Sequence, residues 1–216
     1  ALLSFNQGQK LNPDVDFISG ELLETQMHLN IWDDFEKHLS NVSIKINSGK
    51  GVINPFPLLG LLDNPGLQRK CAETYSSLNY SQSSPSSIIE PYLNHSKIHI
   101  GYFSSDFHNH ATMHLMAELF ESHNKEQFEI FAFSFGPNKN DSWRDRVKSS
   151  FDEFLDVSLV SDYQVTLLAK EKEIDIAIDL KGYTHNSRPK IFSEGCAPIQ
   201  VSYLGYPGTM GAKFID

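Results

Sequence analysis

From residue 97 to residue 204 short apolar runs alternate with amphipathic stretches of helical period, and this alternation limits the chain to few architectures. The spacing predicts strands over 97–103, 128–134, 174–180 and 199–204, and helices over 112–122, 143–155 and 162–172. Strands rich in Ile, Phe, Ala and Val, separated by helices of this length, imply crossover connections and a parallel sheet. The expected fold is therefore α/β, one half of a doubly wound sheet.

In such sheets ligands bind in the crevice beyond the carboxyl ends of the strands. The first predicted strand runs into a polar turn, Ser104-Ser105-Asp106-Phe107-His108-Asn109-His110, before a helix begins. A histidine in that position can serve as base, metal ligand or hydrogen-bond donor. The same residues also suit a purely structural turn, with Asp106 or Asn109 capping the helix. A second candidate follows the strand Asp175-Ile176-Ala177-Ile178-Asp179, where Asp179 falls on the same sheet edge as His110. A carboxylate and an imidazole facing one crevice could move a proton or orient a hydroxyl. Alternatively, Asp179 hydrogen-bonds the Gly182 turn that follows it.

Composition narrows the partners. The net charge is −9, from 18 Lys and Arg against 27 Asp and Glu, which disfavours a broad nucleic-acid or anionic-membrane surface. Phosphate can still be held locally by backbone amides at a helix start. The hydrophobic share of 40% suits a globular protein, and no apolar run reaches the roughly 20 residues of a membrane span. Cys71 and Cys196 lie far apart without metal spacing, so a reducing, cytoplasmic setting is expected. The first residues lack the charged and apolar regions of a signal peptide. The chain begins in a helical pattern and stops where another strand is starting, as expected of part of a longer protein.

Ahead of the sheet, Leu22, Leu23, Met27, Trp32, Phe35 and Leu39 are spaced for a pair of amphipathic helices. Residues 1–48 are expected to form a helical hairpin of tetratricopeptide (TPR) type, the end of a repeat array. Residues 49–96 form a connector: Pro55, Pro57, Gly60, Pro65 and Gly66 punctuate short helices, and the Ser- and Asn-rich stretch 76–96 reads as a linker. A sheet domain over 97–216 follows.

Several motifs compete for a function. His108, His110 and His114 give an H-x-H-x3-H pattern that suggests a metal-dependent hydrolase, although no later set of ligands completes it. Asp14-Val15-Asp16 matches a metal-binding D-x-D, but in a hairpin turn a cap is the simpler reading. Arg188 adds a basic group, and Gly205-Tyr206-Pro207-Gly208-Thr209-Met210-Gly211 forms a Gly-rich loop that lets backbone approach a ligand. Neither a G-x-G-x-x-G after the first strand nor a P-loop is present, which removes support for dinucleotide redox and P-loop chemistry. A non-catalytic, repeat-based binding module remains a further alternative.

Four ordered blocks, GYFSSDFHNHATMHLMAELFE, FEIFAFSFGP, DIAIDLKGYTHNSRP and APIQVSYLGYPGTMGA, resemble the O-linked N-acetylglucosamine transferase (SPINDLY-type) family. Upstream, PFPLLGLLDNPGLQRKCAE resembles bacterial members. The resemblance implies the Rossmann-like first lobe of a two-lobed GT-B glycosyltransferase, preceded by a TPR-like helical segment. It also implies inverting transfer of N-acetylglucosamine from UDP-GlcNAc to Ser or Thr hydroxyls of proteins, without a metal or other cofactor. Acceptor proteins would be engaged through the repeats. The block containing Asn109, His110 and Thr112 places the family's active-site histidine at His110, with Ala111 where members often carry Pro. Asp179 stands where some relatives have Asn. The resemblance puts Asn109, Thr112, Thr184, Tyr206, Pro207, Gly208 and Thr209 along the cleft between lobes. Nothing corresponding to the second lobe is present, so this chain alone is expected to be inactive.

Overall fold

The computed structural model describes residues 1–13, 15–80, 89–93 and 95–216. The chain divides near residue 81 into two compact units; the first also takes in Gly208–Ala212.

The first unit is helical. It comprises α1 (Leu2–Leu11), α2 (Ile18–His28), α3 (Phe35–Asn47), α4 (Pro55–Leu61) and α5 (Pro65–Asn79). Proline opens α4 and α5, where its missing N–H costs nothing, and the Asn64 side chain caps α5 by accepting the Leu67 N–H. Leu23, Val42, Ile46, Val52, Ile53, Leu58 and Cys71 form one core drawn from α2 to α5 and the segment before α4. The α2–α3 hairpin and the helices of the expected connector therefore share a core. Gly20 is required by that packing, since a Cβ there would lie 2.6 Å from Ile53. Burial pushes the Cys71 thiol up to about 12. Trp32 does not join the core; it is exposed and meets Phe35 edge-on. The helix α5 runs through Asn79 with Ser76 buried, so its last turn lies inside the stretch assigned to the linker. Residues 81–88 of that stretch fall outside the described residues.

The second unit carries a five-stranded parallel sheet. Its elements are β1 (Ile98–Ser104), α6 (Ala111–Glu121), β2 (Phe128–Ser134), α7 (Ser142–Ser150), β3 (Glu153–Asp156), α8 (Asp162–Glu171), β4 (Ile176–Asp179), α9 (Lys190–Ser193) and β5 (Ile199–Ser202). The strand order is β3-β2-β1-β4-β5, all neighbours parallel. Alternate residues of β1 serve opposite faces. Ile100 and Tyr102 join Ile130, Ala132, Met113, Met116, Ala117, Phe120, Val147 and Phe151 in one cluster, built with α6 and α7. On the other parity, Phe103 and Phe133 stack at 4.3 Å and Phe192 of α9 meets Phe103 edge-on.

Residues 151–156 depart from expectation, and the short α9 was not expected. The helix predicted to 155 ends at Ser150, and Glu153–Asp156 pairs instead with Phe131–Ser134. Asp152 fixes the start of that ladder: its amide donates to the Ile130 carbonyl and its carboxylate accepts the Ile130 N–H. Ladder pairing to a buried strand outweighs the modest helix propensity of this segment.

Phe120 is fully buried against Tyr102, Phe107 and Phe151. Phe120→Ala is expected to destabilise the sheet unit by about 3–5 kcal/mol, measured by chemical denaturation. A loss below about 1 kcal/mol would mean that this cluster collapses around the cavity.

Candidate functional site

The chain leaves β1 to build β2 and β3 on one side, then returns to build β4 and β5 on the other. Successive connections therefore diverge between β1 and β4, the topological switch point at which open α/β sheets bind ligands. Phe103 pairs with Asp179 there, so the turns after both strands emerge side by side.

Asp106 organises the turn after β1. Its N–H donates to Ser104 Oγ, its Oδ1 accepts the Ser105 hydroxyl, and its Oδ2 accepts Lys181 Nζ at 2.6 Å. Both charged side chains are buried, Asp106 at 10% and Lys181 at 7% side-chain exposure. The pair thus ties the turn after β1 to the turn after β4. The Asp106 carbonyl accepts the His108 N–H at 2.7 Å. His108 is buried, and its Nδ1 has no hydrogen-bond partner among the described residues. Burial, assisted by Lys139, holds its imidazole below the ordinary histidine range.

His110, in extended backbone, is itself the N-cap of α6. Its Nδ1 accepts the Thr112 N–H at 3.2 Å, with Thr112 Oγ1 at the same distance. An acceptor Nδ1 leaves the proton of the neutral ring on Nε2. Asp106 Oδ2 stands 3.6 Å from Nδ1, too far for a hydrogen bond but close for a charge. Neither Asp106 nor Asn109 caps the helix as expected. Asn109 instead donates its N–H to the Asp141 carboxylate and its Oδ1 bonds His114 Nε2 at 2.8 Å. The His114 ring lies 4.0 Å from Trp143. The three histidines of the H-x-H-x3-H pattern therefore make separate contacts. Among the described residues no three His, Cys, Asp or Glu side chains are grouped to hold a metal. Asp14 of the D-x-D lies outside the described residues.

Asp179 is placed differently from the expected His110 partner. Its carboxylate accepts the N–H groups of Lys181 at 2.8 Å and Gly182 at 3.1 Å, and it is 2% exposed. The acid beside His110 is Asp106, and Asp179 anchors its own turn, which needs Gly182 at φ +54. Burial pushes the Asp179 carboxyl up to about 6, held back by the two amides and by Lys181. Thr184 closes the same turn by donating Oγ1–H to the Lys181 carbonyl at 2.8 Å.

Two glycines press neighbouring turns onto this edge. A Cβ at Gly136 would lie 1.8 Å from the Ser105 carbonyl oxygen, and one at Gly205 would lie 1.8 Å from that of Leu180. Beyond Gly205, Tyr206 is buried and meets Tyr183 edge-on at 5.5 Å. Pro207 ends this stretch, whereas Gly208 and Thr209 belong to the helical unit, where Thr209 Oγ1 accepts the Gly211 N–H. A cleft of about 460 Å³ opens on the same edge, lined by Phe135, Gly136, Pro137, Ser158, Asn186 and Arg188. Arg188 is spent on structure there, donating to Asp162 and to the carbonyls of Val157 and Val160.

The family model for glycosyl transferase family 41 matches residues 76–216. The chain belongs to that family. Among curated relatives, an Arabidopsis thaliana protein named probable UDP-N-acetylglucosamine–peptide N-acetylglucosaminyltransferase SEC is 46% identical over 120 residues, covering 56% of this chain and 12% of the relative. A Caenorhabditis elegans UDP-N-acetylglucosamine–peptide N-acetylglucosaminyltransferase is 36% identical over 124 residues, 57% of this chain and 11% of its own length. The Arabidopsis thaliana protein named probable UDP-N-acetylglucosamine–peptide N-acetylglucosaminyltransferase SPINDLY is 27% identical over 122 residues, 55% of this chain and 13% of its own length. The matched region is thus a small part of each relative. Among solved structures, a mutant O-GlcNAc transferase from Thermobaculum terrenum superposes with a TM-score of 0.71 at 20% identity, over 98% of this chain and 41% of that one. The fold is the Rossmann-like α/β lobe of a GT-B protein with a helical segment ahead of it.

The family 41 match takes in both turns that form the edge. One residue of that edge was missed in the sequence reading: Lys181. Its signal was available, a lysine set between an apolar strand and a glycine turn, where an ammonium must find a buried acid or stay out of the sheet.

The Asp179 carboxyl has an ordinary pKa near 3.9 in an unfolded chain and about 6 here. Over that interval the folded state holds more protons, so this group's contribution to stability falls as pH rises from about 4 to about 6. Asp179→Asn removes the titration. Its stability relative to the parent is expected to improve by about 1–3 kcal/mol between pH 4 and pH 7, read from urea midpoints at the two pH values. A difference that does not change with pH would mean that Asp179 is ionised throughout.

Proposed function

We propose that this chain is the first-lobe part of a protein O-linked N-acetylglucosamine transferase, which passes GlcNAc from UDP-GlcNAc to Ser or Thr hydroxyls with inversion. The observation that carries the reading is the 46% identity to a relative named for that activity, over a stretch of 120 residues. The structure's own support is the position of His110: at the switch point, on a helix N-terminus, with its ring 42% exposed at the side chain.

In the transfer, the acceptor oxygen bonds to the anomeric carbon as the bond to the UDP oxygen breaks, and the hydroxyl proton passes to water or to a phosphate oxygen of the departing UDP. With Nδ1 accepting from Thr112, neutral His110 offers Nε2–H as a donor. Its role in this reading is to hold a sugar or acceptor oxygen in register, and orientation of that kind can supply several kcal/mol of the barrier. Thr112 fixes the ring, and Asp106 and Lys181 fix the turn that carries it. Asn109 and Thr184 shape the two turns, and Tyr206 and Pro207 contribute to the substrate cleft. Asp179 supports the site through its turn. In this reading the reaction needs no metal, and the departing diphosphate is met by the second lobe of a GT-B fold.

In this reading residues 1–48, as the end of a TPR array, engage acceptor proteins, and the setting is cytoplasmic. No helix among the described residues is long and apolar enough to cross a membrane.

His110→Ala in the full-length protein is expected to reduce kcat by about 10²–10⁴ with little change in UDP-GlcNAc affinity by calorimetry. Addition of EDTA is expected to leave the wild-type rate unchanged. Normal turnover by His110→Ala would remove the histidine from the mechanism, and loss of activity in EDTA would show a metal requirement.

A further inference from the structure

We propose that Lys181 is a positioning residue: by pairing with Asp106 it keeps His110 Nδ1 an acceptor for the Thr112 N–H and so keeps the N-terminus of α6 capped. The proposal gives a role to Lys181 within the site described under the proposed function, but its test does not need that activity.

The geometry is a shared oxygen. Asp106 Oδ2 receives Lys181 Nζ at 2.6 Å and stands 3.6 Å from His110 Nδ1. Asp106 and Lys181 are both buried, so their charges are weakly screened. His110 is more exposed and feels them less. Other ionisable groups around this histidine are His108, whose ring centroid lies 5.8 Å from that of His110, and His114 on α6. Asp141 at the start of α7 holds the Asn109 N–H, Lys139 acts on His108, and Asp179 is bound to its own turn after β4. None of these contacts Asp106 Oδ2 as Lys181 does.

Remove the ammonium, and a bare buried carboxylate faces the imidazole. An opposite charge at that distance favours the imidazolium. The added proton would go to Nδ1, the nitrogen nearest the carboxylate. A protonated Nδ1 cannot accept from the Thr112 amide, so the helix cap and the charge state are coupled. Lys181 therefore holds two things together: an Nδ1 that accepts the Thr112 N–H, and a capped α6. It does so without touching the imidazole.

The test is imidazole ¹⁵N NMR of this chain, which reads both the titration midpoint and the neutral tautomer of His110. The parent is expected to show the Nε2–H form when neutral. Lys181→Met is expected to raise the midpoint by about 0.5–1 pH unit, a shift reduced from that of a buried pair because the ring is partly solvated. Asp106→Asn, which leaves the ammonium without its acid, is expected to lower the midpoint. Lys181→Arg keeps the charge and is expected to leave it near the parent value. A lysine that only braces two turns would lower stability without moving the midpoint in opposite directions. Should Lys181→Met fail to fold because Asp106 is left unpaired, Asp106→Asn, Lys181→Arg and the double variant Asp106→Asn/Lys181→Met carry the test. The double variant is expected to return the midpoint towards the parent. An unmoved or raised midpoint in Asp106→Asn, or an Nδ1–H tautomer in the parent, would overturn the proposal. If these shifts are seen but the full-length protein does not transfer GlcNAc, only the functional reading fails.

Discussion

The sheet unit depends on the central position of β1. It pairs with β2 along Ile98–Ser104 and with β4 along Ile100–Phe103, so its backbone is satisfied on both edges there, and from Ile100 onward its side chains are buried on both faces. A strand in that position must be apolar along its length, and any polar group it carries has to collect where it ends. Ser104, Ser105 and Asp106 are those groups. They are buried nonetheless, because the turns after β2 and β5 press in through Gly136 and Gly205. Close packing at the carboxyl edge forces these groups to satisfy one another, and the result is a fixed polar network in place of a solvated rim.

That network explains the divided roles of two aspartates that look alike in sequence. Asp179 spends its carboxylate on two backbone amides of its own turn, which fixes the β4 exit. Asp106 receives a hydroxyl and an ammonium and stands beside the imidazole. Sequence position at a strand's carboxyl end places an acid on the right edge of the sheet. It does not say which neighbour the acid will bind. That is decided by turn geometry: a glycine three residues on at positive φ turns its amide back onto Asp179.

Much of the fold was legible because hydrophobic period and turn residues agree along most of the chain. The strands at 98–104 and 128–134 and the helices at 111–121 and 162–171 follow from such agreement. β3 was not legible: Glu153–Asp156 is four residues long, with alternation too brief to separate from the end of a helix, and only pairing to β2 makes it a strand. The same limit hid the site's wiring. His110 could be found from its turn, but the Asp106–Lys181 pair joins residues 75 positions apart, and no local pattern records it. Trp32 shows the converse error, since helical spacing counts an aromatic toward a core face even where the adjoining turn leaves it exposed.

A buried ion pair is weak evidence of stability, because desolvating both charges offsets most of their attraction. Asp106 and Lys181 are therefore better understood by what a neutral substitute would change. An apolar pair could brace the two turns as well, but it would remove the field that acts on the adjacent imidazole. An unpaired carboxylate would favour a proton taken from solvent onto Nδ1 and so release the Thr112 amide, and an unpaired ammonium would repel any positive charge that develops on the ring. The compensated pair sits between these, holding the turn while Nδ1 of the ring accepts the Thr112 N–H. Rigidity and charge neutrality together are what an orienting donor needs, since a group that must reorganise during the reaction gives up part of its advantage.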